Sequence, residues 1–224
     1  MRTNIFKTAA MALATVFILS AVPQTAYAQL SKKQEKQLAK EKDKMVKKKL
    51  QELKSDGWKL GADSRSMEVA LLEHYQRIGT GDKNIEFVGE VSKCKSQGVC
   101  EEAVVRNAQN RYATLASAYV KGKITSDIFT NANIPQEEID KLVALYATRV
   151  EQAVGKLLTE SFSLTKDNND GTKMYRKFFI LNEENAALAR KKALELSLEE
   201  TDITIEMSKK IFEYVDVENN CPVK

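Results

Sequence analysis

The chain has 224 residues, of which 43% are hydrophobic and 29% charged, and its formal net charge is +4. That length is enough for one domain with a core of its own, and the net charge is too small to indicate a particular partner. Beyond the N-terminal segment no stretch is apolar enough to cross a bilayer, which excludes a protein with several membrane spans.

The first residues have the pattern of a secretory signal peptide. Two basic residues precede an apolar run over about 8–22, and small side chains stand at both ends of Ala26-Tyr27-Ala28. We therefore predict a signal peptide over 1–28, cleaved between Ala28 and Gln29. A single membrane anchor is the alternative. It is disfavoured because the run is short for a span of about 20 residues and ends at Pro23.

Removal of residues 1–28 leaves a chain of 196 residues with a net charge of +2. Gln29, rather than a cysteine, follows the cleavage site, so we do not expect a lipid anchor there. The predicted location is the periplasm or the extracellular space, with the protein soluble or only peripherally attached to a membrane.

A lysine-rich helical arm is predicted over 29–56. Residues 31–54 contain ten lysines and four carboxylates, and no glycine or proline occurs before Gly57. The arm has a thin apolar stripe, formed by Leu38, Met45, Val46, Leu50 and Leu53.

Two interpretations of this arm stay open. It is either a solvated linker helix or a contact for anionic envelope material, made by Lys47, Lys48 and Lys49. Such material includes lipid head groups, phosphorylated glycan and acidic proteins. Nucleic acid is not an expected partner of an exported chain.

A single folded domain is predicted over 57–216, and residues 217–224 are predicted to form a flexible tail. Gly57 suits the C-cap of the arm helix, and Trp58, the one tryptophan of the chain, is interpreted as a core anchor. Ser64 or Ser66 can cap the next helix. The apolar face predicted for that helix consists of Val69, Leu72, Tyr75 (or Leu71) and Ile78.

The chain's one histidine, His74, lies in this helix. A lone histidine cannot build a multi-histidine metal site, although it could act as a general base. Glu73 is adjacent in sequence, but adjacent helical residues do not face each other. The favoured interpretation is a histidine on the surface or at a helix cap.

The central prediction is a strand that leads into a long helix over 85–121. Ile85, Phe87 and Gly89 point to one side of this segment, and the residues between them point to the other side. This period of two predicts a strand with two different faces. The helix that follows has apolar residues at steps of three and four, which are Val104, Ala108, Tyr112, Leu115 and Tyr119.

Cys94 and Cys100 stand between this strand and helix. They enclose five residues, and an exported chain meets oxidising conditions, so we predict a local disulfide worth about 2 kcal/mol. Neither a redox CxxC pair nor a zinc site fits the spacing. Cys221 is left with three alternatives: pairing with either of the other two, an intermolecular bond, or a free thiol.

The remaining elements are a second long helix, a β-hairpin and a final helical region. Pro135 opens the second helix, and the hairpin joins a strand around Phe162 to the strand 174–181 through the turn 167–171. The acidic turn is interpreted as a hairpin turn rather than a calcium loop. Asn182 caps the last helical region, which is predicted to break near Thr201-Asp202.

Three segments carry a resemblance to a known family: IEFVGEVS (85–92), RNAQNRYATLASAYV (106–120) and the hairpin from Phe162 to Leu181. They resemble uncharacterised secreted proteins of Bacteroidetes type. More distantly, they are similar to the LPP-twenty lipoprotein family and the N-terminal domain of a flagellar outer-membrane-associated protein. The resemblance implies association with the cell envelope and provides no catalytic residues.

The predicted fold class is α+β, with a small antiparallel sheet of about three strands, long helices packed on one of its faces, and the basic arm in front. The predicted function is binding or assembly in the cell envelope, without catalysis, cofactor or metal, because the usual catalytic and phosphate-binding motifs are missing. The alternatives are an enzyme that uses His74 or scattered carboxylates, and a carrier of a small ligand between helices and sheet.

Overall fold

The structure is a computed structural model that describes residues 32–78, 83–126 and 134–215, with the backbone alone for 32–38. The signal peptide, its cleavage site at Ala28–Gln29, Cys221 and the tail 217–224 lie outside the described residues. Two compact units divide at Leu38, and the folded domain described below belongs to the unit that begins at Ala39.

Helices and strands of the described residues follow one another in an α+β order. In chain order they are α1 Lys32–Ser55, β1 Lys59–Leu60, α2 Met67–Ile78, β2 Asn84–Cys94, α3 Gln97–Ile124, α4 Gln136–Gly155, β3 Thr159–Asp167, β4 Lys173–Asn182, α5 Glu183–Glu199 and α6 Ile205–Val215.

The four strands form one antiparallel sheet in the order β1-β3-β4-β2. This confirms the predicted fold class, and the three long strands are the predicted ones. β1 pairs only Lys59 and Leu60 with β3, and a strand of two residues has no periodicity that a sequence can show.

The predicted hairpin is confirmed. β3 and β4 are joined by a turn in which the Asn168 N–H donates to the Thr172 carbonyl over 2.8 Å and Gly171 has a φ of +76°. That left-handed conformation favours glycine, which explains the Asp-Gly pair at this position. The Asp170 carboxylate accepts hydrogen bonds from Thr172 and Lys93 and thereby stabilises the turn.

The alternation predicted for β2 separates two faces of the sheet. Phe87 and Gly89 are buried beneath α3, whereas Glu86 and Glu90 belong to the opposite face and meet His74 and Arg176. A Cβ at position 89 would clash with the backbone of α3 at Val104. Glycine is therefore required for α3 to approach the strand this closely.

Helices cover both faces of the sheet, and the prediction that they cover only one face is wrong. One face packs against α3, α4, α5 and α6 in a core that includes Phe87, Tyr112, Tyr146, Phe179 and Leu181. The other face packs against α1 and α2. This second core comprises Val46, Leu53, Trp58, Met67, Ala70, Leu71, Phe162, Leu164 and Phe178.

The end of α1 belongs to the domain, which differs from the predicted boundary at residue 57. The Trp58 N–H donates to the Leu53 carbonyl over 2.9 Å and the Gly57 N–H to the Lys54 carbonyl over 3.1 Å, with Gly57 at a φ of +80°. This is a Schellman motif, and its hydrophobic contact joins Leu53 to Trp58. The predicted C-cap and core anchor are thus confirmed.

Two helical faces differ from their predictions. In α2 the buried residues are Met67, Ala70, Leu71 and His74, whereas Val69 is 41% exposed. In α3 Val104, Ala108 and Tyr112 are buried as predicted, but Leu115 is 39% exposed. In α3 the buried face is formed partly by the small residues Ala108, Ala113 and Ala116, which allow close packing and leave Leu115 beside it. In α2 the buried face is centred on Ala70 and Leu71, so Val69 lies on the opposite side of the helix.

A buried charge lies between α3 and α5. Arg190 has no exposed surface, and it donates to Glu183 over 2.7 Å and to the Tyr112 hydroxyl. A guanidinium removed from water is tolerated only when its N–H groups are paired, so these three side chains form one structural unit.

We predict that Glu183→Gln lowers the free energy of unfolding by about 3 kcal/mol, because Arg190 would stay buried without its counter-charge. Glu184→Gln is the matched control. Its exposed pair with Lys83 contributes less than about 1 kcal/mol. Urea unfolding of both variants measures the difference, and equal midpoints would contradict the structural role of the Arg190 pair.

The Cys94–Cys100 disulfide is present, with a Cα–Cα distance of 5.7 Å. It ties the end of β2 to the first turn of α3, where Cys100 is buried against Val104 and Tyr175. The bridge therefore closes the short loop between the two central elements.

Replacing Cys94 and Cys100 by serine should lower the free energy of unfolding by about 2 kcal/mol, since the unfolded chain regains the freedom of the closed loop. Thermal unfolding with and without reductant measures this effect. Cys221→Ser serves as the control and should leave the response to reductant unchanged. If the thermal stability of Cys221→Ser no longer changed on addition of reductant, Cys221 would have to take part in a disulfide.

Candidate functional site

The exposed side of α1 presents a row of lysines. Lys40, Lys44, Lys47, Lys48 and Lys54 are exposed, and they are here named the lysine face. Because each helical residue advances by about 100°, they fall within an arc of about 120° that points away from the buried Val46 and Leu53. None of the five pairs with a carboxylate among the described residues.

The three lysines predicted as anion contacts do not act alike in the structure. Lys47 and Lys48 lie on the lysine face, whereas Lys49 is half-buried on the side of the helix that carries Leu53 and Val46, 3.7 Å from Glu52. Helical geometry places the acidic Glu41, Asp43 and Glu52 outside the arc of the lysine face. The face therefore carries positive charge without an acidic residue between its members.

The side of α2 that faces the sheet carries a buried histidine. His74 has no exposed surface and its Nε2 lies 2.7 Å from Glu86 Oε2, so the expectation of a surface or cap histidine is wrong. Edge-on aromatic rings surround it, with centroids at 5.3 Å for Phe162, 5.7 Å for Phe178 and 5.2 Å for Tyr75. The imidazole Nδ1 has no hydrogen-bond partner among the residues that the structure describes.

The His74 pair has the composition of a base held by a carboxylate, which is how many catalytic histidines are oriented. Its ring, however, is enclosed by side chains and meets no solvent, and His74 lines none of the grooves described below. In this conformation the pair joins α2 to β2. Burial, together with the carboxylates of Glu86 and Glu52, raises the pKa of the neighbouring Tyr75 to about 12.

Two arginines fix the connection between α1, β1 and α2. The Arg176 guanidinium lies 4.4 Å above the Trp58 ring and donates from Nε to Glu90 over 2.6 Å. Arg65 donates to both carboxylate oxygens of Asp63 over 3.0 Å and to the Ser161 carbonyl at the sheet edge over 2.9 Å. Sequence reasoning missed both arginines, because their partners are distant in the chain or face them only after folding.

Arg65 also controls the charge of Asp63. Its side-chain and backbone hydrogen bonds to that carboxylate lower the pKa of Asp63 to about 2. The ionised form of Asp63 is thus stabilised specifically by the folded state.

Open grooves in the described residues lie among helices. One, of about 540 Å³, runs between the end of α5 and α6, and two others of about 430 Å³ and 250 Å³ lie on α4 and at its start. No strand residue lines any of these three, so they do not provide the helix–sheet cavity that a ligand carrier was expected to have.

Within residues 32–78, 83–126 and 134–215, no three side chains of His, Cys, Asp or Glu converge as ligands for a metal ion. In the same part of the chain, no helix combines the length and hydropathy that a membrane span requires.

No protein-family model matches this chain, no curated protein matches it, and no solved structure matches its fold. The relation to the LPP-twenty and flagellar families therefore stays a prediction. What the fold and the sites define is a helix-covered α+β domain with one strongly basic face, and any function has to be inferred from its own residues.

We predict that Asp63→Asn removes an acid-sensitive part of the stability. The pKa of Asp63 is about 2 in the folded protein and 3.8 ordinarily, so its contribution is complete above 3.8 and disappears as the pH falls through 2. Wild type should exceed the variant in stability at neutral pH, and the gap should close between about pH 4 and pH 2. Urea unfolding across this range measures it. A gap that does not change with pH would contradict the prediction.

Proposed function

We propose that this chain is an exported cell-envelope protein that acts by binding, and that the lysine face is its contact with an anionic surface. The observation that carries the proposal is the segregation of five exposed, unpaired lysines on one side of α1, within the described residues. The predicted signal peptide supports an envelope location.

The way α1 is attached supports a binding role over a linker role. A solvated linker needs no fixed orientation, whereas Val46, Leu53 and the Schellman motif at Gly57 fix the rotation of this helix against the sheet. The lysines are consequently held outward together. Fixed, like-signed charges produce a local positive potential that attracts anions and repels cations.

The expected strength follows from the charges. A lysine near an anionic membrane surface contributes about 1 kcal/mol at moderate salt, and the attraction decays over about 10 Å at 0.1 M salt. Three to five lysines thus suffice for reversible, salt-sensitive attachment. Lipid head groups, phosphorylated glycans and acidic proteins share the anionic chemistry that this face would recognise.

We predict that the triple variant Lys44→Gln, Lys47→Gln and Lys48→Gln binds vesicles containing anionic lipid about 100-fold more weakly than wild type, since about 3 kcal/mol is removed. The control carries the same charge change elsewhere, at the exposed Lys95, Lys156 and Lys191. Co-sedimentation at low and high salt measures both variants.

The outcomes separate the possible sources of the anion. If the first variant loses vesicle binding while the control keeps it, and if wild type loses binding in high salt, the lysine face is supported with lipid as its ligand. Binding to phosphorylated glycan but not to anionic vesicles supports the same face with a different ligand. Equal binding by both variants would overturn the proposal. Deletion of residues 30–54 is a poorer test, because it would also remove Val46 and Leu53 from the core.

A further inference from the structure

The groove between α5 and α6 combines an apolar floor with an acidic rim. Its floor is formed by Leu198, Ile203, Ile205 and Phe212, and it encloses about 540 Å³. Ile205 is 79% exposed, although a large aliphatic side chain is ordinarily covered. The groove thus offers apolar surface that the described residues of the chain do not cover.

The rim of the groove is negatively charged. Glu195, Glu199 and Glu213 line it together with a single basic residue, Lys209. Glu195 pairs with Lys192 over 2.8 Å, whereas Glu199 and Glu213 are exposed and form no ion pair in the described parts of the chain.

The end of α5 adds to this negative potential. The last carbonyl groups of a helix carry partial negative charge, which lysine or arginine in the last turn usually offsets. The last turn of α5 has no basic residue, and Glu199 occupies it instead. A cation supplied from outside would relieve this unfavourable arrangement.

We propose that this groove binds an amphipathic helix of a partner protein, one that carries a stripe of large aliphatic side chains flanked by lysine or arginine. The aliphatic stripe fits the floor between Leu198, Ile205 and Phe212, and the basic flank faces Glu199 and Glu213. An anionic membrane does not fit, because the rim would repel its head groups. The groove is therefore a separate contact from the lysine face.

The test uses the full mature chain and a synthetic helical peptide of about 14 residues, with leucine on one face and lysine on the other. A peptide with glutamate in place of every lysine is the control ligand. Fluorescence anisotropy of the labelled peptide measures binding. The lysine peptide should bind at least tenfold more tightly than the glutamate peptide at low salt.

Two variants locate the contact on exposed positions that do not hold the fold. Glu199→Gln with Glu213→Gln should weaken binding of the lysine peptide about tenfold, and Ile205→Ser should weaken it by at least as much, because burial of an aliphatic side chain is lost. Glu41→Gln with Glu68→Gln is the matched charge control, at exposed residues of α1 and α2, which pack on the opposite face of the sheet, and should bind as wild type does.

Three results would overturn the proposal. The first is equal binding of the lysine peptide to wild type, the groove variants and the control. The second is equal binding of the lysine and glutamate peptides. The third is binding that appears only after residues 217–224 are removed, since the groove would then belong to the chain's own C-terminal segment.

Discussion

Helix cover on both faces of the four-stranded sheet is the constraint on which the rest of the structure depends. Phe162 and Phe178 stack on the face opposite α3, with ring centroids 4.4 Å apart, and such a pair would be exposed if α1 and α2 were absent. Val46, Leu53 and Trp58 complete their burial. Since the Schellman motif fixes where α1 ends, the same contacts that close the core also decide which lysines point outward.

Buried and exposed charged side chains of the domain are arranged differently. Inside, Arg190 is paired with Glu183, and His74 is hydrogen-bonded to Glu86. Such pairs cost desolvation and contribute mainly to a unique arrangement of the elements that they join, which here are α3 with α5 and α2 with β2. Outside, many charges lie in exposed pairs of opposite sign, such as Lys83 with Glu184. Two patches differ because one sign dominates in each: the lysine face of α1 and the rim of the α5–α6 groove.

This segregation is the strongest argument for a binding protein with two unlike surfaces. Surface charges that serve only solubility are ordinarily mixed in sign. A basic face without apolar side chains favours a reversible, salt-dependent contact, whereas an apolar groove with an acidic rim favours a partner of defined shape. The Glu86-bound His74 lacks the solvent access that catalysis requires in this conformation, although its carboxylate partner is partly exposed.

What the sequence by itself determined were the features that depend on neighbours along the chain: the hairpin at Asp170-Gly171, the C-cap at Gly57, the Asn182 cap and the two-faced alternation of β2. Turn chemistry, capping and periodicity act over a few residues, so they can be read locally. Only the tertiary structure decided that α1 covers the second face of the sheet, that His74 is buried, and where the α5–α6 groove opens. These depend on which distant surfaces meet, because a thin apolar stripe or a lone histidine has the same sequence whether it is covered or exposed.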